Sequence, residues 1–382
     1  MIKTHAEGKD LNSMVKVSVP SRICLFGEHQ DYLGLEVIAA AVNLYFTAKA
    51  SPREDHMLHI RIRDEKCGGL NAQSGKQYQN VAFDLTQPLV YTGKREYMKS
   101  VVNVLNRKGI TVTGADVEMD SDIPIERGMC SSTAMVMALM AALAAVSGKK
   151  LTPAELASFA WEAEVKEFNE PGGMMDQYTA ALGGLVHLDF SGETKAELLP
   201  AIPSGCFILF DSMQPKDTLA VLTSAKTPTL EGMRILKGYG IGSIRDLASD
   251  PVKERQISRL PASIAAKVRA NVDNYRLGQK ALRMMQDGDV DPHQLGGLLN
   301  REQLNLRIGL GVSTPVIDRA LETAISAGAY GGKVNGSGGG GCLYVYAPEE
   351  KYDAIIEAVG KLGLPGKKLT LSDGVRFERS GS

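Results

Sequence analysis

The sequence has few cysteines, and they form none of the patterns found in disulfide-stapled or zinc-binding domains. There are five in 382 residues, with no Cys-x-x-Cys pair and no cluster of cysteine and histidine. Disulfide frameworks usually use an even number of cysteines, and structural zinc sites need closely spaced ligands. The sequence therefore argues against both, and a reducing cytoplasm is the expected compartment.

An excess of either charge is also missing. The chain has 43 basic and 44 acidic residues, a net charge of -1, and no long run of one sign. Proteins that bind nucleic acids or membrane surfaces usually carry a basic excess. We therefore expect no nucleic acid or membrane partner.

Long apolar runs are absent as well. Residues 1–14, MIKTHAEGKDLNSM, contain no apolar core of a secretion signal, so none is expected. The most apolar run, residues 134–146, is too short and too rich in alanine and methionine to span a bilayer. It predicts a buried helix instead.

That apolar run follows a turn and two adjacent hydroxyl side chains, within residues 123–148, IPIERGMCSSTAMVMALMAALAAVSG. The free N–H groups and positive dipole at a helix N-terminus attract anions, and Gly128 would let a phosphate approach closely. Serines in this position more often only cap the helix. The stretch taken alone leaves two interpretations open, a nucleotide phosphate site and a capped core helix.

A polar loop lies upstream, between the predicted strands 15–24 and 37–42. It places four hydrogen-bonding side chains between two glycines: Glu28, His29, Asp31 and Tyr32. Such side chains suit a polyhydroxy ligand, because each hydroxyl both donates and accepts hydrogen bonds. A solvated hairpin loop is the alternative.

Two carboxylates downstream are candidates for chemistry. A helix is predicted to start at Thr152 with Pro153 and a capping-box Glu155, and Glu164 lies late in it. Asp176 follows a Pro-Gly-Gly turn and precedes another helical pattern, which would suit a residue facing a cleft. Acidic residues are more often surface charges.

The order of predicted strands and helices along the chain indicates an α+β protein. We expect two domains, residues 1–200 and 201–382. Residues 216–327 have mostly helical patterning, and residues 333–348 read KVNGSGGGGCLYVYAP. This glycine-rich stretch matches a dinucleotide fingerprint only formally, because a strand pattern follows it where a helix is required. No Walker A sequence or protein-kinase motif set is present.

Three motifs occur in an order that resembles the GHMP kinases, and among them the galactokinase branch. They are PSRICLFGEHQDYLG (residues 20–34), IPIERGMCSSTA (123–134) and KVNGSGGGGC (333–342), with PGGMMDQYTAALG (171–183) as further support. The resemblance implies a ribosomal-protein-S5-like N-terminal domain and a ferredoxin-like C-terminal domain, with the active site in the cleft between them.

The resemblance also implies roles for individual residues. Asp176 would be the catalytic carboxylate that takes the proton of the sugar's anomeric hydroxyl or orients that hydroxyl, with Arg22 as its supporting cation. The sugar would contact Glu28, His29, Asp31, Tyr32 and Gly173. The ATP phosphates would lie against Gly128, Met129, Cys130, Ser131, Ser132, Thr133, Ala134, Gly338 and Gly339. Ser132 and Glu164 would hold Mg²⁺.

The leading hypothesis is a cytoplasmic, ATP- and Mg²⁺-dependent sugar 1-kinase acting on galactose, and a monomer or weak homo-oligomer. The chain departs from galactokinases at Gln30, Leu33 and Leu35 and in FDSMQPKDT (210–218), which places the differences on the sugar side. Arabinose, N-acetylgalactosamine, a uronic acid or a mevalonate-type substrate are alternatives, as is a catalytically silent sensor. A uronic acid would require a cation near its carboxylate, and the GEHQDY loop supplies none.

Overall fold

The computed structural model describes residues 14–63, 78–125 and 127–380. Nearly all of the N-terminal segment from which we infer no secretion signal lies outside these ranges. Within them, none of the helices is both long enough and apolar enough to cross a membrane.

The described residues form a mixed α/β structure. The strands are β1 (Met14–Phe26), β2 (Glu36–Pro52), β3 (Met57–Arg63), β4 (Tyr78–Asp84), β5 (Ala115–Ser121), β6 (Leu185–Asp189), β7 (Lys195–Leu199), β8 (Cys206–Asp211), β9 (Gly331–Val334), β10 (Cys342–Ala347), β11 (Gly366–Leu369) and β12 (Arg376–Ser380). The helices are α1 (Tyr97–Arg107), α2 (Ser131–Val146), α3 (Pro153–Trp161), α4 (Met175–Leu182), α5 (Thr218–Lys237), α6 (Ile244–Ser249), α7 (Pro251–Arg255), α8 (Ala262–Gln286), α9 (Pro292–Leu304), α10 (Pro315–Ser326) and α11 (Tyr352–Gly360).

The larger sheet has the strand order β12-β1-β2-β5-β3-β4, and β6 pairs with both β2 and β7. Its pairs are antiparallel except for β3 with β5. Helix α2 packs against β1 and β2, and α1, α3 and α4 cover its other sides. Because α2 packs against two strands and three helices, most of its residues are buried, from Thr133 to Ala144 with the exception of Met135, which confirms the predicted buried helix.

The smaller sheet is antiparallel, in the order β11-β8-β10-β9. Helices α10 and α11 pack on it around a core that includes Ile208, Phe210 and Val345. A separate helical core lies between α5, α6 and α8, and Leu35 from the polar loop belongs to it. The polar loop is therefore anchored on the helices that follow β8.

The chain passes from the larger sheet to the smaller one between β7 and β8, close to the boundary placed at residue 200. The pairing of the last strand does not follow a simple division at residue 200. After β11 the chain returns to the larger sheet, where β12 pairs with β1. The division into residues 1–200 and 201–382 remains a prediction, and the last strand belongs by pairing to the first sheet.

The start of α3 follows the sequence rule closely. Thr152 accepts a hydrogen bond from the backbone N–H of Glu155, and the Glu155 side chain accepts one from the backbone of Thr152. This confirms the predicted capping box. It fixes the helix that leads directly to Glu164.

Candidate active site

An ion pair between the buried Arg22 and the partly exposed Asp176 joins β1 to the start of α4. The Arg22 side chain is only 4% exposed, and its Nε and Nη2 atoms each lie 2.8 Å from Asp176 Oδ1. Its Nη1 atom donates to the carbonyl of Gly128, also at 2.8 Å. Among the described residues none donates to Asp176 Oδ2, so this oxygen is available to accept a hydrogen bond from a substrate hydroxyl.

The N-terminus of α2 has the geometry of an anion site. Cys130 precedes the helix with a positive φ of 50°, and no side chain in the described part of the chain caps the first turn. Ser21 donates to the carbonyl of Met129 at 2.7 Å and fixes the loop from β1. The interpretation of Ser131 or Ser132 as a simple cap is therefore wrong, and the first-turn N–H groups are left for a ligand.

The hydroxyls of the first turn point to Glu164 instead. Ser132 Oγ and Thr133 Oγ1 donate to its two carboxylate oxygens, each at 2.7 Å, and Gln177 adds a third hydrogen bond at 2.9 Å. Glu164 sits in a π-helical turn, Glu162–Lys166, that continues α3. Burial raises the pKa of its carboxyl to about 7, although these hydrogen bonds oppose the shift.

This pair of oxygen ligands fits Mg²⁺. No group of three or more candidate metal ligands occurs among the described residues. Mg²⁺ in nucleotide sites usually takes one or two protein oxygens and completes its shell with phosphate and water. A hydroxyl and a buried carboxylate that forms no ion pair with the residues the structure describes suit that role.

The glycine-rich loop between β9 and β10 backs directly onto the phosphate loop. A side chain at Gly336 would come within 2.7 Å of the Gly128 carbonyl, and one at Gly341 within 2.5 Å of the Arg127 carbonyl. Cys342 N–H donates to that same Arg127 carbonyl at 2.7 Å. Only glycines allow the two backbones to approach so closely.

Gly338 and Gly339 lie on another side of the same loop. Side chains at these positions would collide with Val312 and Val221, respectively, and Gly339 N–H donates to the Val312 carbonyl. Both glycines therefore pack against the segments that carry Val221, in α5, and Val312. The nucleotide contact implied for them remains a prediction.

Glu28 takes part in a buried charge cluster that joins the polar loop to the second sheet. Its Oε2 atom accepts from Lys333 Nζ at 2.9 Å and from the Gly336 N–H at 3.0 Å, and Lys333 is fully buried. Glu302 Oε1 accepts the N–H groups of Gly27 and Glu28, each at 3.2 Å. Burial raises the pKa of Glu302 to about 7, despite the charge of Lys333 nearby.

His29 uses both ring nitrogens within the protein. Nε2 lies 3.0 Å from the carbonyl of Ser337, which only accepts, so this nitrogen carries the proton of the neutral ring. Nδ1 then accepts from the Tyr32 hydroxyl at 2.9 Å. Burial lowers the pKa of His29, in keeping with a neutral ring. His29 ties the polar loop to the glycine-rich loop.

Asp31 and Gly173 face each other closely. A side chain at Gly173 would come within 2.1 Å of Asp31 Oδ2, so glycine is required there. The Asp31 carboxylate accepts the N–H groups of Tyr32 at 2.8 Å and Met175 at 3.4 Å. Burial and the nearby charge of Asp176 raise the pKa of Asp31 to about 6.

The departures from the galactokinase motif inside the polar loop do not face these groups. Gln30 is buried and donates to the carbonyl of Asn271 on α8 at 2.7 Å. Leu35 is buried in the helical core, and Leu33 packs against that core. The expectation that these three changes mark the sugar side is wrong, because they adapt the loop to the helices beneath it.

Two lysines near the site, Lys216 and Lys226, were not predicted from the sequence. Lys216 Nζ donates to Ser337 Oγ at 2.9 Å, and it lies so near Gly128 that a side chain there would come within 2.9 Å of it. Burial, followed by the charge of Arg22, lowers the pKa of Lys216 to about 8. Lys226 on α5 donates to the Pro171 carbonyl at 3.0 Å. Only Lys216 had a sequence signal, as part of the divergent stretch FDSMQPKDT.

The structure thus brings most of the predicted residues around one cleft through a chain of direct contacts. Arg22 joins Asp176 to the phosphate loop, Asp31 joins the polar loop to the turn before Asp176, and Glu28 joins that loop to the glycine-rich loop. The arrangement places an anion site, an acid with one free oxygen and a set of polar side chains side by side. It suits transfer of a phosphoryl group to a hydroxyl.

Comparison with known families agrees with this arrangement. Residues 96–184 match the description "GHMP kinases N terminal domain", residues 289–363 match "GHMP kinases C terminal", and residues 6–52 match "Galactokinase galactose-binding signature". Together these ranges span more than half of the 382 residues.

The similar proteins include both galactokinases and mevalonate kinases. The chain is 28% identical to a galactokinase of Roseiflexus sp. (strain RS-1), over 86% of this chain and 82% of that protein. It is 25% identical to a mevalonate kinase of Thermococcus sibiricus, over 95% and 98% respectively. Among solved structures, Lactococcus lactis galactokinase complexed with galactose superposes with a TM-score of 0.81 at 20% identity, covering 95% of each chain. The fold is thus the two-domain fold of these kinases.

The raised pKa of Asp31 leads to a stability prediction. A folded-state pKa of about 6, against the ordinary 3.8, means that the carboxyl stabilises the fold only while protonated, and this contribution is lost as the pH rises through 6. We expect Asp31→Asn to be more stable than wild type at pH 8, by about 1–2 kcal/mol, with the difference shrinking towards pH 4.

Thermal unfolding from pH 4 to pH 8 measures this, with substitution of the exposed Asp353 by asparagine as the control. A destabilised Asp31→Asn protein at pH 8 would contradict the assigned environment.

Proposed function

The chain belongs to the GHMP kinases, a family of small-molecule kinases, and we propose that it is an ATP- and Mg²⁺-dependent sugar 1-kinase. It transfers the γ-phosphoryl group of ATP to the anomeric hydroxyl of a monosaccharide. The observation that carries the proposal is the Arg22 guanidinium, which contacts Asp176 and the Gly128 carbonyl at once. The galactose-binding signature over residues 6–52 makes galactose the leading parent sugar.

The chemical step follows from this geometry. The sugar hydroxyl oxygen forms a bond to the γ-phosphorus, the bond from that phosphorus to the β,γ-bridging oxygen breaks, and ADP leaves. The hydroxyl hydrogen bonds to Asp176 Oδ2, which orients the nucleophile and accepts its proton as the new bond forms. Arg22 holds the Asp176 side chain in position, since its Nε and Nη2 atoms each lie 2.8 Å from Asp176 Oδ1.

Two cations stabilise the negative charge on the transferred group. Arg22 and Lys216 both lie beside Gly128, at the predicted phosphate loop. Fixed cations of this kind supply most of the catalysis in phosphoryl transfer, because the reaction needs charge compensation and alignment. Mg²⁺, held by Ser132 and Glu164, would add further compensation on the phosphates.

The remaining assignments are part of the same proposal. The ATP phosphates contact the phosphate loop, residues 128–134, and the sugar contacts the polar loop and Gly173. The protein acts in the cytoplasm, in keeping with the free cysteines Cys24, Cys130, Cys206 and Cys342 among the described residues.

A mevalonate-type substrate is the second candidate, because a mevalonate kinase of Thermococcus sibiricus is similar over 95% of the chain. A silent sensor is disfavoured. Asp176, Arg22, Ser132 and Glu164 are all present and in contact as catalysis requires.

The acid gives the first functional prediction. ADP release is measured with galactose, arabinose, N-acetylgalactosamine, galacturonic and glucuronic acids and mevalonate, for wild type and Asp176→Asn. We expect at least one sugar to support turnover, and the variant to lose about 100-fold or more, because asparagine cannot accept the proton. Mevalonate turnover without any sugar would contradict the sugar assignment, and binding without ADP formation would favour a sensor.

The metal pair gives the second prediction. Ser132→Ala removes a proposed magnesium ligand and one hydrogen bond to Glu164, so turnover should fall by about 100-fold while the fold remains intact. The Mg²⁺ concentration needed for half-maximal rate should rise. Ser158→Ala, on the exposed face of α3, is the control. Unchanged turnover and Mg²⁺ dependence would refute the role of Ser132.

A further inference from the structure

Lys226 lies in the wall of the proposed sugar site and has no charged partner there. Its Nζ atom donates to the Pro171 carbonyl at 3.0 Å and stands 5.0 Å from the centre of the Tyr32 ring. Pro171 begins the turn that carries Gly173. The lysine therefore adjoins two of the segments that we assign to sugar binding.

The ammonium group makes no ion pair with any described residue, since no carboxylate oxygen comes within 4.0 Å of it. The other acids in the site have their own close partners. Asp176 is held by Arg22 at 2.8 Å and Glu28 by Lys333 at 2.9 Å. Asp31 is close enough to act on Lys226 electrostatically, but its carboxylate accepts backbone N–H groups instead.

Lys226 is partly desolvated, and its neighbours offset this only in part. Burial lowers its pKa, and Asp31 opposes the shift only in part. A half-buried ammonium group held by one neutral carbonyl keeps two N–H donors for another acceptor. An ionised acceptor would offset the free-energy cost of burying this ammonium group better than a hydroxyl would. Charge-assisted hydrogen bonds are roughly twice as strong as those between neutral groups.

Binding of the ATP phosphates does not explain the position of Lys226, because another lysine lies at the phosphate loop. Lys216 lies at the phosphate loop, and Arg22, Glu28 and Asp176 all act on its pKa. Lys226 instead contacts the Pro171 carbonyl and the Tyr32 ring, whereas Lys216 contacts Ser337 and lies beside Gly128.

We propose that Lys226 binds a carboxylate on the acceptor sugar, so that the preferred substrate is a sugar acid of the uronic acid class. This inference rests on the proposed sugar kinase function and narrows its substrate. The polar loop lacks a cation for such a carboxylate, but α5 supplies one from a distant part of the sequence. The carboxylate forms an ion pair with Lys226, while the anomeric hydroxyl lies at Asp176.

The test compares neutral sugars with their acids. ADP release gives kcat/KM for galactose and galacturonic acid, and for glucose and glucuronic acid. We expect the acid of at least one pair to exceed its neutral parent by about tenfold or more in the wild type. Lys226→Met should remove that preference, because it should raise KM for the acid by about tenfold more than KM for the neutral sugar. Lys226→Arg should retain part of the preference.

Lys237→Met, an exposed position on the same helix, should change neither value. Neutral sugars used as well as their acids by the wild type, or an acid preference that survives in Lys226→Met, would overturn the inference and leave the kinase proposal standing. If no sugar, neutral or acidic, supports ADP formation, the proposed function fails and the inference fails with it.

Discussion

The site depends on a single buried cation. Arg22 sits in the middle of a strand, only 4% exposed, and its three guanidinium nitrogens reach Asp176 and the Gly128 carbonyl. A buried guanidinium without these partners would be costly, so its burial requires α4 and the phosphate loop to stay in place. The same contacts orient the acid and add positive charge beside the phosphate loop, so the structural constraint and the proposed chemistry coincide.

A second buried charge holds the other side of the cleft. Lys333 from β9 pairs with Glu28, and Glu302 from α9 accepts two N–H groups of the polar loop. His29 adds a link from that loop to Ser337. The polar loop follows a strand of the first sheet, but Glu28 and His29 contact Lys333 and Ser337, which lie after residue 300. Glu28 and His29 therefore hold the polar loop against the segments that carry Lys333 and Ser337. Their sugar-binding roles remain proposals.

Local patterns were enough to predict the local features. The capping box at Thr152 and the buried helix after the two serines both follow from a few neighbouring residues. The ordered motifs placed Arg22 with Asp176, and Ser132 with Glu164, although these residues are far apart in the chain. The capping role of the serines was wrong, because no side chain among the described residues caps the first turn of α2. Ser132 donates instead to Glu164, to which no local pattern connects it.

Long-range placement explains what was missed. Lys216, Lys226 and Glu302 stand in helical or divergent stretches with no motif of their own, and only the packing of α5 and α9 against the polar loop brings them to the site. Gln30, Leu33 and Leu35 show the reverse case, since their position within a binding motif suggested ligand contacts while their side chains face α8 and the helical core. Motif membership identified the loop, and the fold decided which of its residues face the cleft.

The central proposal is that this site moves the γ-phosphoryl group of ATP to the anomeric oxygen of a sugar. Proton-coupled ³¹P NMR of the protein with ATP, Mg²⁺ and an accepted sugar tests this directly. We expect the γ-phosphate signal to be replaced by a phosphomonoester signal that is split by the anomeric proton. Release of inorganic phosphate alone, or a phosphomonoester coupled to another carbon's proton, would contradict it.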